Sequence, residues 1–87
     1  MRRLIVNADD FGRHVLIYAA VAIGAEQGCL RSATLMPGGA AFADALEVLR
    51  AHPALGVGIH FTLVNGNPVL PAAEIPSLVT PEGVFYD

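Results

Sequence analysis

Short strand-like runs alternate with longer helical segments along this chain, and the alternation limits the folds open to it. The runs cover Arg3–Ala8, Arg31–Met36 and Leu55–Leu63. Helical patterns separate them at His14–Gln27 and Ala41–Ala51, and the second of these has its apolar residues on one face. Connections of this length form helical crossovers, which join parallel strands. The sequence therefore predicts an α/β fold in the order β-α-β-α-β.

The first strand and the first helix both carry more apolar residues than a half-exposed element needs. Leu4-Ile5-Val6 shows no alternation, which predicts a strand covered on both faces. The helix is apolar around most of its circumference, so it needs cover on more than one side. A complete (β/α)8 barrel has about 250 residues. We therefore expect the 87 residues to form the first third of a TIM-like barrel domain.

Composition and charge exclude several classes of protein. With 54% hydrophobic and 15% charged residues, the chain is too apolar for a disordered segment. Its five arginines are scattered between Arg2 and Arg50 and no lysine accompanies them, so a nucleic-acid surface or a polybasic membrane patch is not expected. The longest apolar stretch, Val15–Ile23, is shorter than the roughly 20 residues that span a bilayer. Cys29 is the single cysteine, which favours a cytoplasmic protein without disulfides.

Polar residues that could bind a ligand or take part in catalysis lie at the carboxyl ends of the three predicted strands. Asp9 and Asp10 follow the first strand, Thr34 lies near the end of the second, and His60 lies near the end of the third. Ligands of parallel α/β sheets bind at this end of the strands. We therefore expect these side chains to meet at one edge, although they are far apart in the sequence.

The adjacent acids Asp9 and Asp10 allow two interpretations. The simpler one is a polar turn in which Asp10 caps the following helix. Their position directly after a strand predicted to be buried favours another, because two poorly solvated carboxylates repel each other unless a cation lies nearby. Successive side chains of a strand point in different directions. One carboxylate would then bind a divalent metal and the other would transfer protons.

His60 also allows two interpretations. A histidine between two apolar residues is usually a core residue with one hydrogen bond. Gly56 and Gly58, which alternate with it, leave space on the same face and favour a ligand cavity. Carboxylate with imidazole suits Zn²⁺, Mn²⁺, Ni²⁺ or Mg²⁺, but catalytic zinc usually has three protein ligands. Only two are identified here, so we expect the metal site to be incomplete within these residues.

Several weaker candidates accompany these residues. His14 could reach a substrate, although a role at the start of the first helix is simpler. Phe61 could stack on a sugar ring or be half-buried by packing. Asn65 could shape a substrate loop or form a hairpin turn. Pro37-Gly38-Gly39 is either a turn that cradles phosphate or a plain strand-to-helix turn, and it lacks the pattern of a known phosphate-binding loop.

Three segments together resemble the YdjC/ChbG-type carbohydrate deacetylases. They are Asn-Ala-Asp-Asp-Phe-Gly at 7–12, Ser-Ala-Thr-Leu-Met at 32–36 and Gly-Ile-His-Phe-Thr-Leu at 58–63. The resemblance extends over essentially all 87 residues. It implies a TIM-like barrel and a hydrolase that removes acetyl groups from N-acetylated sugars with a divalent metal, Mg²⁺ or Zn²⁺. One branch of this family is associated with hopanoid biosynthesis, and this chain is expected to be similar to it.

The resemblance also implies roles for individual residues. Asp10 and His60 would be metal ligands and Asp9 would be the general base of amide hydrolysis. The family's remaining metal histidine lies in a motif beyond Asp87. This sequence departs from the family at two positions, His14 and Tyr18, where the family often has serine and asparagine. Tyr18 is expected to bring a bulky group near the end of the first strand, close to the substrate.

Two alternatives to a sugar deacetylase stay open from the sequence. The chain could be a non-catalytic module that pairs its open sheet edge with a second copy and forms a homo-oligomer. It could also be part of another barrel metalloenzyme that acts on sugars or phosphate esters. An N-acetylated sugar is the expected partner, and neither nucleic acid nor a membrane is expected to be one.

Overall fold

The computed structural model describes residues 1–87 as three parallel strands connected by two helices. The elements are β1 (Asn7–Phe11), α1 (Val15–Glu26), β2 (Ser32–Leu35), α2 (Phe42–Ala51) and β3 (Gly56–Ile59). The sheet order is β1-β2-β3, so each helix connects two neighbouring parallel strands. The predicted β-α-β-α-β order is confirmed. Neither helix is long and apolar enough to cross a lipid bilayer.

The first strand begins later than the sequence predicts. Leu4 and Ile5 are 88% and 81% exposed, whereas the lack of alternation predicted a strand buried on both faces from Arg3 onward. The first residue of β2, Ser32, pairs with Asn7. Residues before Asn7 therefore extend past the end of the neighbouring strand, and no ladder hydrogen bonds hold them in the sheet.

The two faces of the sheet have different chemistry. On one face, Ala33 is fully buried against the helices, with Ala8 and Leu35 packed beside it. The buried core cluster on this side consists of Phe11, Val21, Leu30, Ala33, Ala45, Val48 and Leu55. Because strand side chains alternate, the opposite face carries the polar residues Asn7, Asp9, Ser32 and Thr34. This polar face positions the candidate site.

β3 has little cover, although its sequence predicts a buried strand. Val57 and Ile59 are 46% and 63% exposed, because the core cluster lies over β1 and β2 and includes no residue of β3. The strand is also shorter than the predicted Leu55–Leu63, since its pairing with β2 ends where Leu35 meets Ile59. Helix α1 is likewise covered on one side only, and its apolar residue Leu16 is exposed.

The loop after β2 is packed tightly against its neighbours. A Cβ atom on Gly39 would lie 2.1 Å from the carbonyl oxygen of Gly12, and one on Gly38 would lie 2.9 Å from that of Asn67. The backbone N–H of Ala41 donates a hydrogen bond to the Gly12 carbonyl at 2.9 Å. Gly38 and Gly39 therefore allow two backbone segments to lie closer together than any side chain would permit. This agrees with a strand-to-helix turn and not with a phosphate cradle.

The segment after His60 folds back on itself through isolated bridges. Phe85 forms antiparallel bridges with Gly66 and with Val79. Asn65 has a left-handed backbone (φ 56°), and its N–H donates to the Tyr86 carbonyl at 2.9 Å. The Asn65-Gly66 turn therefore pairs with the end of the chain instead of closing a hairpin between neighbouring runs. A short 3-10 helix covers Ala72–Glu74.

Candidate active site

A backbone irregularity at the end of β1 separates the two aspartates. The pairing register with β2 shifts between Ala8 and Phe11, and Asp10 within this bulge has a φ of 58°. Non-glycine residues rarely adopt this left-handed conformation, and bulges of this kind redirect side chains next to active sites. The two carboxylates point to different partners, as predicted, although the bulge and not regular alternation sets the direction of Asp10. The interpretation of Asp10 as a helix cap is wrong, because His14 occupies the N-cap of α1.

Asp10 and His60 contact each other across the edge of the sheet. His60 Nε2 lies 3.7 Å from Asp10 Oδ1. The backbone N–H of Asp10 donates to His60 Nδ1 at 3.2 Å, although the two residues are 50 positions apart. The N–H of His60 donates in turn to the Leu35 carbonyl at 2.8 Å, which holds the histidine at the end of β3. The predicted meeting of these side chains is confirmed.

Arg13 places a positive charge beside the same carboxylate. Its Nη1 atom lies 3.6 Å from Asp10 Oδ2, on the opposite oxygen from the one that faces His60. Both side chains are partly exposed, so this ion pair adds little to stability. Arg13 was not among the candidate residues predicted from the sequence. The signal that could have found it is its position three residues after Asp10 in a turn, where its N–H donates to the Asp10 carbonyl at 3.0 Å.

Asp9 accepts two hydrogen bonds on a single carboxylate oxygen. The Thr34 hydroxyl donates to Asp9 Oδ1 at 2.7 Å, and the Asn7 amide donates to the same oxygen at 2.9 Å. Both donors bond to Oδ1, and no side-chain hydrogen bond is made to Oδ2. Asn7 belongs to the motif at 7–12 but was not predicted to contact the site, although it stands two residues before Asp9 and alternation places both on one face.

Thr34 lies between the two sides of the site. Its Oγ1 atom is 3.4 Å from His60 Nδ1 in addition to its hydrogen bond with Asp9. Gly58 is the register partner of Thr34, and a Cβ atom there would lie 3.6 Å from the Thr34 methyl group. Asp9, Thr34 and His60 thus form one connected polar cluster that spans the three strands, with glycine beside it in β3.

The remaining sequence candidates lie around this cluster. His14 Nδ1 accepts a hydrogen bond from the Leu16 N–H at 3.2 Å, so His14 caps α1, which is the simpler of the two interpretations. Phe61 is 86% exposed, so the expectation of half-buried packing is wrong, because the core cluster does not extend to this residue. Phe61 and Asn65 line a mainly apolar cavity of about 390 Å³ to which His60 also contributes.

Tyr18 lies away from the place where the sequence analysis expected it. Its side chain is half-buried in the groove between α1 and α2, which Val48 and His52 also line, and it packs against the core cluster. The expectation that Tyr18 restricts the substrate side is therefore wrong. Helix geometry explains the difference. Residues on the inner face of α1 face α2, whereas the strand ends lie beyond the N-terminus of the helix.

Comparison with known proteins identifies the family. The model of the YdjC-like protein family matches residues 3–87. This chain is a YdjC-like protein. The match covers all three strands and every residue of the polar cluster, and it confirms the family that the sequence motifs resemble.

Similar proteins carry deacetylase names. The YdjC-like chain is 42% identical over 83 residues to a carbohydrate deacetylase of Brevibacillus brevis, a match that covers 95% of the chain and 33% of the relative. It is 43% identical over 84 residues to a carbohydrate deacetylase of Geobacillus stearothermophilus, covering 97% of the chain and 33% of the relative. A chitooligosaccharide deacetylase of Salmonella paratyphi B is 43% identical over 77 residues, and the match covers 88% of the chain and 29% of that relative.

A solved structure has the same fold in the corresponding region. The crystal structure of an Enterococcus faecalis V583 protein, assigned provisionally to cellobiose-phosphate cleavage, superimposes with a TM-score of 0.86 at 35% sequence identity. The match covers 94% of the YdjC-like chain and 33% of that protein. The chain therefore spans about a third of the length of the relatives that it matches.

The YdjC-like site has the donors for part of a divalent-cation site. Two ligands bound tetrahedrally to zinc, each about 2.1 Å from the ion, lie about 3.4 Å apart. The 3.7 Å between Asp10 Oδ1 and His60 Nε2 is close to this spacing. Within residues 1–87, no group of three His, Cys, Asp or Glu side chains is arranged to hold a metal ion. Asp10 and His60 therefore fit as two ligands, and further ligands would have to come from elsewhere.

Proposed function

We propose that this chain carries part of the active site of a metal-dependent hydrolase that removes the acetyl group from an N-acetylated sugar or oligosaccharide. The observation that carries the proposal is the connected cluster of Asp9, Thr34 and His60, with Asp10 in contact with His60, at the carboxyl ends of the three strands. The substrate class is supported by relatives named carbohydrate deacetylase and chitooligosaccharide deacetylase.

Cation binding and proton transfer are assigned to different residues of the site. Asp10 Oδ1 and His60 Nε2 would hold a divalent cation, Mg²⁺ or Zn²⁺. When bound, such a cation polarises the acetamide carbonyl and makes a water molecule easier to deprotonate. Asp9 acts as the general base through Oδ2, since its other oxygen is held by Asn7 and Thr34. A carboxylate fixed in this way needs little rearrangement before it accepts the proton.

The cavity beside His60 is the candidate substrate-binding site. A pocket lined mainly by apolar side chains with a few polar groups is typical of small-molecule sites. Phe61 presents an exposed aromatic ring that can stack on the apolar face of a sugar, and Asn65 can donate to or accept from a sugar hydroxyl. His14 lies on the loop that follows β1 and is a third candidate contact.

A non-catalytic module is the second candidate function. It is favoured by the exposure of Val57 and Ile59 on β3, because an open strand with apolar side chains can pair with another copy of the chain. A concentration-dependent dimer in sedimentation measurements, together with no acetate release from any N-acetylated sugar, would favour this module over the hydrolase.

The hydrolase is tested by acetate release from an N-acetylated chitooligosaccharide in the presence of Zn²⁺ or Mg²⁺. The complete polypeptide that carries this chain is compared with its Asp10→Asn and His60→Ala variants. Both variants are expected to lose at least about a hundredfold in turnover, because each lacks a cation ligand. Asp44→Asn is the matched control, since Asp44 is an exposed carboxylate on α2 away from the cluster. Normal turnover in either site variant would contradict the proposal.

A further inference from the structure

We propose that Thr34 is a positioning residue that couples the general base to the cation ligand, an inference that rests on the proposed function. Its hydroxyl donates to Asp9 Oδ1 at 2.7 Å and lies 3.4 Å from His60 Nδ1. Among the side-chain hydrogen bonds of Asp9 and His60, only those of Thr34 involve both residues. Thr34 itself touches neither substrate nor cation in this assignment, so it acts through its two neighbours.

The hydrogen-bond chemistry of His60 explains why this contact matters. A neutral imidazole carries one proton, so one ring nitrogen donates and the other accepts. In the structure, Nδ1 accepts from the backbone N–H of Asp10, which leaves the proton on Nε2. Nε2 is the nitrogen that faces Asp10 Oδ1, and it can bind a cation only after it has lost that proton. Cation binding therefore requires the other tautomer, with the proton on Nδ1, and this tautomer gives up the hydrogen bond that Nδ1 accepts from the Asp10 N–H.

Thr34 supplies the acceptor that this second tautomer needs. A hydroxyl has one proton to donate and lone pairs to accept with, so Thr34 can donate to Asp9 and accept from His60 Nδ1–H at the same time. Histidine ligands of metals generally donate their second ring N–H to such a partner, which fixes ring orientation and tautomer. The resulting chain of hydrogen bonds runs from His60 through Thr34 to Asp9.

The position of Thr34 in the sheet suits this role. It lies in the central strand β2, between β1 with Asp9 and the end of β3 with His60. A β-branched side chain has restricted χ1 freedom in a strand, so its hydroxyl is held in place. Gly58 beside it has no side chain that could stand between Thr34 and His60.

The experiment compares three variants of the complete polypeptide. Thr34→Val keeps the shape of the side chain and removes the hydroxyl, whereas Thr34→Ser keeps the hydroxyl. Asn7→Ala removes the other hydrogen bond to Asp9 Oδ1 and leaves His60 untouched. The readouts are the dissociation constant for Zn²⁺ alone, the ¹⁵N chemical shifts of the His60 ring with and without Zn²⁺, and kcat and KM for acetate release.

In the wild type, Zn²⁺ is expected to move the His60 proton to Nδ1. Thr34→Val is expected to weaken Zn²⁺ binding by about 10- to 100-fold, the usual effect of losing such an outer partner. Its kcat should fall while KM stays close to the wild-type value. Thr34→Ser should restore Zn²⁺ affinity to within a few-fold, and Asn7→Ala should leave it unchanged.

If Thr34→Val has the same Zn²⁺ affinity and the same His60 ring shifts as the wild type, the proposed role of Thr34 is overturned. The hydrolase proposal is then unaffected. The reverse combination, Zn²⁺ binding that depends on Thr34 without acetate release by the wild type, would overturn the proposed function and support the role of Thr34. A wild-type protein that binds no Zn²⁺ at all would overturn the coupling and the choice of Asp10 and His60 as ligands together.

Discussion

Asp10 and His60 contact each other twice, through the Asp10 backbone N–H on Nδ1 at 3.2 Å and through Oδ1 at 3.7 Å from Nε2. The double contact depends on the left-handed backbone of Asp10, which brings both its amide and its carboxylate toward the end of β3. Strained backbone of this kind costs of the order of 1–3 kcal/mol and is concentrated at functional sites. Asp9, one residue earlier, keeps the ordinary strand direction and reaches Thr34 instead.

The separation of the two aspartates predicts different effects of the same substitution. Asp9→Asn is expected to lower kcat by about 10²- to 10⁴-fold, because the variant loses the group that accepts the proton. Its affinity for Zn²⁺ should stay within a few-fold of the wild type, whereas Asp10→Asn should weaken it strongly. Steady-state kinetics and Zn²⁺ titration of both variants check this. Equal loss of Zn²⁺ binding in the two variants would contradict the division of roles.

Removal of the metal should abolish activity without unfolding the protein. Chelation with EDTA is expected to stop acetate release, and added Zn²⁺ or Mg²⁺ should restore it. The far-UV circular dichroism spectrum should not change, because the core cluster lies on the helix side of the sheet and the candidate ligands lie at its edge. Full activity in EDTA would contradict metal dependence, and loss of the spectrum would indicate a structural role for the ion.

The sequence predicted the element order and the meeting of Asp9, Asp10 and His60, because both follow from rules that act along the chain. Crossover connections make strands parallel, and the carboxyl ends of parallel strands share one edge. The exposure of Leu4 was not predictable in the same way. Burial of an apolar run depends on whether a neighbouring strand reaches it, and β2 begins only opposite Asn7.

The finer contacts of the site were also beyond the sequence. Thr34 was expected at the right edge, but its hydrogen bond to Asp9 depends on the register between β1 and β2, which shifts at the bulge. Arg13 reaches Asp10 through a turn in which Asp10 itself has the left-handed backbone. A glycine at this position would have indicated such a turn from the sequence, whereas an aspartate does not. The complete barrel and the bound metal stay predictions.

Two phenylalanines, one exposed beside the cavity and one buried in the core, should separate binding from stability. Phe61→Ala is expected to raise KM several-fold and to change the free energy of unfolding by less than about 0.5 kcal/mol, since the ring is exposed. Phe11→Ala, which empties a fully buried position of the core, should cost about 3–5 kcal/mol. Denaturant unfolding and steady-state kinetics measure both effects. An unchanged KM in Phe61→Ala would remove this ring from the substrate site.

The contact between the loops after β1 and β2 predicts a large effect from one added methyl group. In Gly39→Ala the new Cβ would lie 2.1 Å from the Gly12 carbonyl oxygen, so one loop must move. Overpacking of this kind typically costs about 1–3 kcal/mol. Gly58→Ala is the control for stability, because its Cβ would meet only the Thr34 methyl group at 3.6 Å, an ordinary contact. Since Gly12 follows Asp10 in the same loop, Gly39→Ala should also lower kcat. Equal denaturation midpoints for the two variants would show that the loops are free to separate, and the site would then not depend on their packing.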